Sequence, residues 1–186
     1  MPLLRMSESA FAKLKAKSGM VRNSTIKRKT PLKAKTKLRK KAKAGTVSAA
    51  KAEAWRIFSR MIRMRDCLKT TGDPGRGRCV TCGRAYAFKD LQAGHWLGGR
   101  RNSVLFDDRH VHCQCFGCNV RGSGKGPEYT EFMEGTYGKE VMAEIRAKNK
   151  ERRQFGVVEL QEMQARWMDN IVTMMKTGRP YQNPVR

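Results

Sequence analysis

The chain has 186 residues, enough for one domain of ordinary size with a tail. Its 40 Lys and Arg residues outnumber 16 Asp and Glu residues, so the formal net charge is +24 and the pI is about 10.4. Such a charge favours a polyanionic partner, nucleic acid first, and argues against an acidic or small neutral ligand as the main partner. No apolar run approaches the roughly 18 residues of a membrane-spanning helix, and the first residues lack the apolar core of a secretory signal. We therefore expect a cytoplasmic protein in a reducing compartment, with no membrane partner.

The positive charge is concentrated at the start of the chain. Residues 1–50 hold 15 Lys or Arg residues against one acid, Glu8, and their only aromatic residue is Phe11. Such a segment cannot bury enough apolar surface to offset its ordering entropy. We predict a flexible basic arm over residues 1–45 that binds nucleic-acid phosphates; a solubilising tail or a localisation signal is the alternative. The candidate phosphate-binding residues are Lys27, Arg28, Lys29, Lys33, Lys35, Lys37, Arg39, Lys40 and Lys41.

Three later segments carry apolar residues at helical spacing. They cover residues 46–66, 128–150 and 158–176. We expect the aromatic stripe of the first helix to belong to the core rather than to stack on bases. Gly135 and Gly138 are predicted to break the second helix, and Gly178 to stop the third. Residues 71–77 are predicted to form a loop.

Two CxxC pairs lie 32 residues apart in the middle of the chain. Their members are Cys79, Cys82, Cys115 and Cys118. Four thiolates in two such pairs suit a structural Zn²⁺ site, whereas a redox CxxC would be single and lie in a thioredoxin-like βαβ pattern. Cys113 could compete as a ligand, but Cys115 has the correct spacing to Cys118. Cys67 is most simply a buried thiol.

All three histidines of the chain lie between the cysteine pairs, at His95, His110 and His112. Such clustering beside a predicted metal site indicates a functional site rather than scattered structural histidines. Around them, residues 85–88 and 91–96 are predicted to form two short strands that turn at residues 89–90. A basic, Gly-rich loop over residues 98–108 and a short helix ending before Gly122 follow. The predicted order is β–β–α, held at its base by zinc.

This pattern resembles a known motif. The arrangement of the two CxxC pairs with Gly94-His95, His110 and Asn119 resembles the HNH, or ββα-metal, nuclease motif in its zinc-stapled form. The run RCVTCG…LQAGHW…LFDDRHVHCQCFGCNVRGSG is similar to the phage NinG (Rap) recombination-endonuclease family. The resemblance covers roughly residues 50–167. It implies an α+β fold in which a small ββα-metal cassette (78–126) and a helical part (127–178) belong to one nuclease domain (46–186).

The resemblance also implies roles for individual residues. His95 matches the general base that activates water, and Asn119 matches a position that binds the catalytic divalent ion. His110 stands where the motif usually has an Asn that orients the base by hydrogen bonding. Gly94 stands where many HNH motifs have an Asp metal ligand. The missing ligand must then come from His110, His112, Asp107, Asp108 or the substrate phosphate. The alternative for Asp107 and Asp108 is that they are solvated loop charges.

The function implied is a metal-dependent DNA endonuclease that acts on branched recombination intermediates, of Holliday-junction or D-loop type, in the cytoplasm of a phage-carrying bacterium. Its cofactors would be structural Zn²⁺ and catalytic Mg²⁺ or Mn²⁺. Arg100, Arg101 and Lys125 are candidate DNA contacts outside the arm; the alternative for Lys125 is a side chain that faces solvent. Paired cuts would suit a homodimer, with the final helix as candidate surface; core packing explains that helix equally well. The alternatives are a non-catalytic zinc-ribbon DNA- or RNA-binding protein and a ribosome-associated zinc protein.

Overall fold

The computed structural model describes residues 45–182, which form three long helices and two small antiparallel sheets. In chain order the elements are α1 (Val47–Thr71), β1 (Arg76–Arg78), β2 (Ala85–Ala87), a 3₁₀ turn (Phe88–Asp90), β3 (Leu91–His95), β4 (Val111–Cys115), a π-helical turn (Gly117–Arg121), α2 (Gly126–Lys148) and α3 (Val157–Thr177). The α+β class expected from the sequence is confirmed for this part of the chain. The predicted arm and its candidate phosphate-binding residues lie in residues 1–44, outside the described residues.

Helix α1 is longer than expected from the sequence. It begins after Thr46, whose side chain accepts a hydrogen bond from a backbone N–H of the first turn at 3.3 Å. It ends at Gly72, which adopts the left-handed conformation with φ 74°. The predicted end near Asp66 was too early, because the buried face of the helix continues to Leu68. The predicted loop over residues 71–77 was also too long, since its last two residues begin β1.

The main core lies between α1 and α3. The rings of Phe58 and Trp167 meet there with centroids 4.9 Å apart, and Ile171 is buried one turn further along α3. Burying such side chains supplies most of the free energy of folding. The predicted stop of α3 is confirmed, because Gly178 is left-handed with φ 64°.

A second core forms where α2 packs against the loop after β3. Tyr129 and Met133 of α2 are fully buried against Trp96 and Val104. The predicted break of this helix is confirmed at Gly138, whose φ of 79° and ψ of 171° are not helical. Gly135, which was named with Gly138 for this break, lies within the helix just before it.

The strand pairing differs from the prediction. Residues 85–88 and 91–96 both contain strands, but these strands do not pair with each other. Instead β2 pairs with β1, and β3 pairs with β4. The 3₁₀ turn between β2 and β3 sends them into different sheets. Leu91 is buried against the α1 side chain Cys67 and against Cys113 of β4, so burial selects the distant partner strand over the adjacent one.

The β3–β4 pair and the π-helical turn that follows it form a β–β–α unit. The predicted short helix before Gly122 is confirmed, as the π-helical turn. In the sheet register, Gly94 lies opposite His112 and His95 lies opposite Val111. Successive side chains of a strand point to opposite faces of its sheet. One face, which includes Ala93, packs on the α1 core, and the other face carries Gly94 and faces the π-helical turn.

Candidate functional site

Four cysteine thiols come together where β1, β4 and the π-helical turn meet. They are Cys79, Cys82, Cys115 and Cys118, and their Sγ atoms all lie within 4.8 Å of one another. Three of the four cysteines are buried and one, Cys82, is exposed. Four thiols this close can bind a metal such as zinc, whose structural sites take four thiolates in a tetrahedron. We call this set the four-cysteine cluster.

Backbone hydrogen bonds hold the four-cysteine cluster in shape. The Val80 N–H donates to the Cys113 carbonyl at 2.9 Å and ties the first CxxC pair to β4. Burial raises the pKa of Cys79, but the Thr81 hydroxyl and nearby backbone N–H groups outweigh it and lower that pKa to about 6. These donors favour the thiolate, which is the form that binds a metal.

The other two cysteines lie outside the four-cysteine cluster. Cys67 and Cys113 are both fully buried and pack with Leu91 between α1 and the β3–β4 sheet. The Cys113 thiol donates to the Arg63 carbonyl at 3.7 Å. This placement agrees with two expectations from the sequence. Cys113 is not a member of the four-cysteine cluster, and Cys67 is a buried thiol.

A cleft of about 580 Å³ opens along β3 and is lined both by α1 and by the π-helical turn. The lining side chains with polar or aromatic groups are Trp55, Ser59, Arg63, Lys89, Gln92, His95, Arg100, Asn119 and Ser123. Among the described residues that line this cleft, none is acidic and three are basic. The cleft therefore offers positive potential to an anionic group such as a phosphodiester.

His95 lies at the end of β3 and lines this cleft. Its ring stacks on Trp55, with centroids 4.9 Å apart and planes at 17°. Its Nε2 lies 3.1 Å from the Leu105 carbonyl oxygen. Since a carbonyl only accepts, Nε2 carries the proton and Nδ1 holds the lone pair. Burial lowers the pKa of His95 to about 4; the Leu105 carbonyl opposes this shift and Arg100 adds to it. The imidazole is therefore neutral at pH 7 and able to accept a proton.

Trp55 contacts a second cleft residue, Arg100, whose guanidinium lies 4.2 Å from the indole centroid. Arg100 has a left-handed backbone with φ 47°, in the turn that follows β3. The sequence predicted that the aromatic stripe of α1 belongs to the core. This is confirmed for Phe58, which is fully buried, but Trp55 lies at the cleft. The two residues are one helical turn apart, so no periodicity in the sequence separates them.

Asn119 lies in the π-helical turn and lines the same cleft as His95. Its Nδ2 donates to Oε1 of Gln92 at 2.7 Å. With Nδ2 held in this way, Oδ1 points toward Gly94 of β3. The structure thus brings His95 and Asn119, two of the residues selected from the sequence, to one cleft. Gln92, which orients Asn119, was not selected, because an isolated Gln in a short strand gives no signal.

His110 is fully buried beside His95, with ring centroids 5.2 Å apart. Burial and the neighbouring His95 lower the pKa of His110 to about 3. The sequence predicted that His110 orients His95 by a hydrogen bond. In the structure, the group that accepts a hydrogen bond from His95 is the Leu105 carbonyl and not His110. The nearest partner of His110 Nδ1 is the Leu97 N–H, at 3.5 Å.

His112 belongs to a closed polar network rather than to the cleft. Its Nδ1 lies 3.2 Å from Oδ2 of Asp66 and 3.0 Å from an Arg65 Nη2. Its Nε2 lies 3.1 Å from the Tyr137 hydroxyl and 3.3 Å from the Arg109 carbonyl. Burial lowers the pKa of His112, although Asp66 opposes this. Both ring nitrogens have partners, so this placement differs from the expected role of His112 as a ligand of the catalytic ion.

The two candidate aspartates also lie outside the cleft. The Asp107 carboxylate is buried and forms ion pairs with Arg109 at 3.2 Å and Lys148 at 3.0 Å. The carbonyl of Asp108 accepts a hydrogen bond from Arg65 at 2.7 Å. The sequence left two alternatives for Asp107, a metal ligand or a solvated loop charge. Because its carboxylate is buried and paired, Asp107 is not a solvated loop charge.

The three basic residues selected outside the arm differ in their placement. Arg100 lines the cleft. Arg101 donates to the Asn149 carbonyl at 3.3 Å, and Lys125 forms an ion pair with Glu128 at 3.3 Å on the surface. Only Arg100 of these three therefore lies beside His95 and Asn119.

None of the helices in residues 45–182 is long and apolar enough to cross a membrane.

Comparison with known proteins places the chain in a family. No curated protein matches the chain, and no solved structure matches it. A family model described as the bacteriophage lambda NinG protein matches residues 6–177. This match takes in all three helices, the four-cysteine cluster and the whole cleft around His95, so the chain belongs to the NinG family.

Proposed function

We propose that this protein is a metal-dependent DNA endonuclease of the HNH, or ββα-metal, class that acts on branched recombination intermediates such as Holliday junctions and D-loops. The observation that carries the proposal is a neutral His95, with its lone pair on Nδ1, in a basic cleft that also contains Asn119. Binding DNA needs positive charge alone. A half-buried imidazole with one nitrogen hydrogen-bonded to a carbonyl suits proton transfer instead.

In this mechanism His95 takes a proton from the attacking water, and the hydroxide displaces the 3′-oxygen of the phosphodiester in line. The Leu105 carbonyl keeps its hydrogen bond to Nε2 and stabilises the imidazolium that forms. The indole of Trp55 keeps the ring in one orientation. Arg63 and Arg100 bind the phosphate; the Arg63 guanidinium is itself held at 3.3 Å by the Phe88 and Leu91 carbonyls.

The cleft also suits a divalent cation. Asn119 supplies a hard amide oxygen, Oδ1, which is free of the hydrogen bond that its Nδ2 makes to Gln92. Mg²⁺ and Mn²⁺ prefer such oxygen ligands. Bound there, the ion would stabilise negative charge on the phosphate and on the departing oxygen.

We assign Zn²⁺ to the four-cysteine cluster as a structural ion. Four protein ligands complete its coordination and leave no open position for a substrate. The cluster joins the first CxxC pair to the end of β4 and to the π-helical turn that carries Asn119. Zinc would therefore stabilise the position of Asn119 without taking part in the reaction.

A homodimer acting in the cytoplasm of the bacterial host completes the proposal, because resolving a junction takes two paired cuts. One side of α3 exposes Met168, Val172 and Met175, which lie about one turn apart. Exposed apolar side chains in such a row suit a contact between two copies.

A cleavage panel tests the proposal. Synthetic four-way junctions, D-loops, flaps, nicked duplex and linear duplex are incubated with Mg²⁺ or Mn²⁺, with and without EDTA. We expect branched DNA to be cut, EDTA to abolish cutting, and His95→Ala to slow it about 10²–10⁴-fold with DNA binding retained. Raising the pH should partly rescue His95→Ala, because hydroxide replaces the missing base. Tight DNA binding without cleavage in either ion would instead favour a non-catalytic zinc-ribbon protein.

A further inference from the structure

Two side-chain oxygens fill the space above Gly94, on the sheet face that meets the π-helical turn. A Cβ on Gly94 would overlap Oε1 of Gln114 and would lie 3.1 Å from Oδ1 of Asn119. Any residue other than glycine would therefore push these oxygens apart. The absence of a side chain at Gly94 lets an oxygen from β4 and an oxygen from the π-helical turn approach the same point.

The orientation of both carboxamides is determined by their nitrogens. Gln114 Nε2 donates to the Gly124 carbonyl at 2.9 Å, and Asn119 Nδ2 donates to Gln92 Oε1 at 2.7 Å. Turning the Gln114 amide over would place its oxygen against the Gly124 carbonyl, and turning the Asn119 amide alone would place its oxygen against Oε1 of Gln92. Oε1 of Gln114 and Oδ1 of Asn119 are therefore the atoms directed toward the space above Gly94.

The Gln114 oxygen has no partner there. Gln114 is fully buried, and its Oε1 accepts no hydrogen bond from any residue in the described part of the chain. A buried acceptor left in this state lowers the stability of the folded protein. The nearby Tyr129 hydroxyl does not satisfy it, because it donates to the Gly94 carbonyl at 2.9 Å. Two acceptor oxygens directed at one point need a positive charge or a donor between them.

We infer that Gln114 Oε1 and Asn119 Oδ1 are the two protein ligands of a divalent cation that binds above Gly94. This rests on the proposed function, because it names the second protein ligand of the catalytic ion. Among the other candidates, the Asp107 carboxylate is held by Lys148, and His112 is held in its network with Asp66. Asp108 lines other clefts and not the one that contains Asn119. Mg²⁺ and Mn²⁺ accept amide oxygens and retain water or phosphate at their other positions.

The charges around this site determine how strongly it binds a cation. Both ligands are neutral, and Arg63, Lys89 and Arg100 of the adjoining cleft repel a cation. The cation therefore binds weakly to the free protein. A DNA phosphate in the cleft neutralises that charge and adds ligand oxygens. By linkage, DNA and the cation raise each other's affinity by the same factor.

Mn²⁺ titration followed by electron paramagnetic resonance tests the inference without any cleavage assay. The full chain receives one equivalent of Zn²⁺ first, so that the thiols do not compete for Mn²⁺. Gln114→Glu gives this ligand a charge and should tighten Mn²⁺ binding about tenfold. Gln92→Glu is the matched control: Gln92 is the register partner of Gln114 on the same face, but its oxygen is held by Asn119. It should tighten binding less than about threefold, through space alone.

Two further variants change Asn119, the partly exposed ligand of the pair. Asn119→Ala should remove Mn²⁺ binding, and Asn119→Asp should tighten it about tenfold. Circular dichroism in EDTA checks the fold of each variant, and the Asn119 pair decides the question if Gln114→Glu does not fold. Equal shifts in Gln114→Glu and Gln92→Glu, or unchanged binding in Asn119→Ala, would overturn the inference. If the binding results overturn the inference but DNA is still cleaved, the nuclease proposal stands. If Mn²⁺ binds at Gln114 and Asn119 but no DNA is cleaved, the inference stands and the nuclease proposal is wrong.

Discussion

The imidazole of His95 lies nearly flat against the indole of Trp55, with ring centroids 4.9 Å apart and planes at 17°. The contact joins the first long helix to the end of β3, which are far apart in the chain. It sets the direction of the imidazole and removes water from one of its faces. Trp55 is therefore a positioning residue for His95.

Replacing Trp55 should change the titration of His95. Trp55→Ala exposes the imidazole, so the pKa of His95 should rise from about 4 toward its ordinary value of 6.5. The loss of positioning should also slow DNA cleavage about tenfold or more. Proton NMR titration of the His95 ring measures the first effect. Trp55→Phe keeps an aromatic face and serves as the control; an unchanged pKa in Trp55→Ala would refute the role of the stack.

Replacing His112 should lower stability rather than change the chemistry. His112→Ala leaves the Asp66 carboxylate and the Tyr137 hydroxyl with fewer partners in a buried site. We expect the free energy of unfolding to fall by about 2–4 kcal/mol. Urea unfolding measures it. At a temperature where the variant stays folded, its cleavage rate should be near normal, and excess divalent ion should have no added effect. A folded His112→Ala that is inactive would return His112 to the active site.

The half-buried His95 and the buried His110 predict how the stability of the protein depends on pH. Burial lowers the pKa of His95 to about 4 and that of His110 to about 3, both from 6.5. At a pH between the ordinary histidine pKa of 6.5 and these lowered pKa values, the unfolded chain binds protons that the folded chain does not. Stability is therefore full above pH 6.5 and falls as the pH drops toward 4, by up to about 3 kcal/mol for His95 alone.

Urea unfolding between about pH 7.5 and pH 4.5 measures this dependence, and His95→Gln is the control that lacks the titrating group. The slope of stability against pH should be smaller in His95→Gln. Although burial opposes it, Arg65 and His112 lower the pKa of Asp66, so protonation of Asp66 destabilises the fold only below the ordinary Asp range. Equal slopes in both proteins would mean that His95 is not buried in solution.

Removing zinc should unfold the β–β–α unit and abolish cleavage together. The four-cysteine cluster closes a loop that contains β2, β3 and β4, so its metal contributes directly to the folding of that part. Metal analysis should find one Zn²⁺ per chain. Cys115→Ser should lose zinc and sheet structure, measured by circular dichroism. Cys113→Ser, which lies outside the cluster, is the control and should keep the metal. Active protein without zinc would contradict the assignment.

Deleting residues 1–45 should weaken DNA binding without moving the cleavage positions. The segment carries a dense row of Lys and Arg residues whose phosphate contacts release counterions. The truncated protein should therefore show a shallower dependence of log affinity on log salt. Fluorescence anisotropy at several salt concentrations measures it. Equal affinity combined with shifted cut sites would make the arm a specificity element instead.

The sequence by itself determined the features that depend on local spacing. Two CxxC pairs suffice to select the four cysteines, because the two-residue gap turns both thiols of a pair to one side. Apolar periodicity located the three helices, and Gly178 marked the end of the last one. His95 and Asn119 were selected because a motif records their spacing from the cysteines.

Only the tertiary structure decided which strands pair and which polar atoms face each other. The β3–β4 pairing joins segments separated by a long loop, and burial of Leu91 against α1 and β4 selects it over the adjacent strand. The contact of Trp55 with His95 and the approach of Gln114 to Gly94 both follow from that pairing. Burial and hydrogen bonding act between residues that are neighbours in space. The periodicity of a single segment therefore carries no record of these contacts.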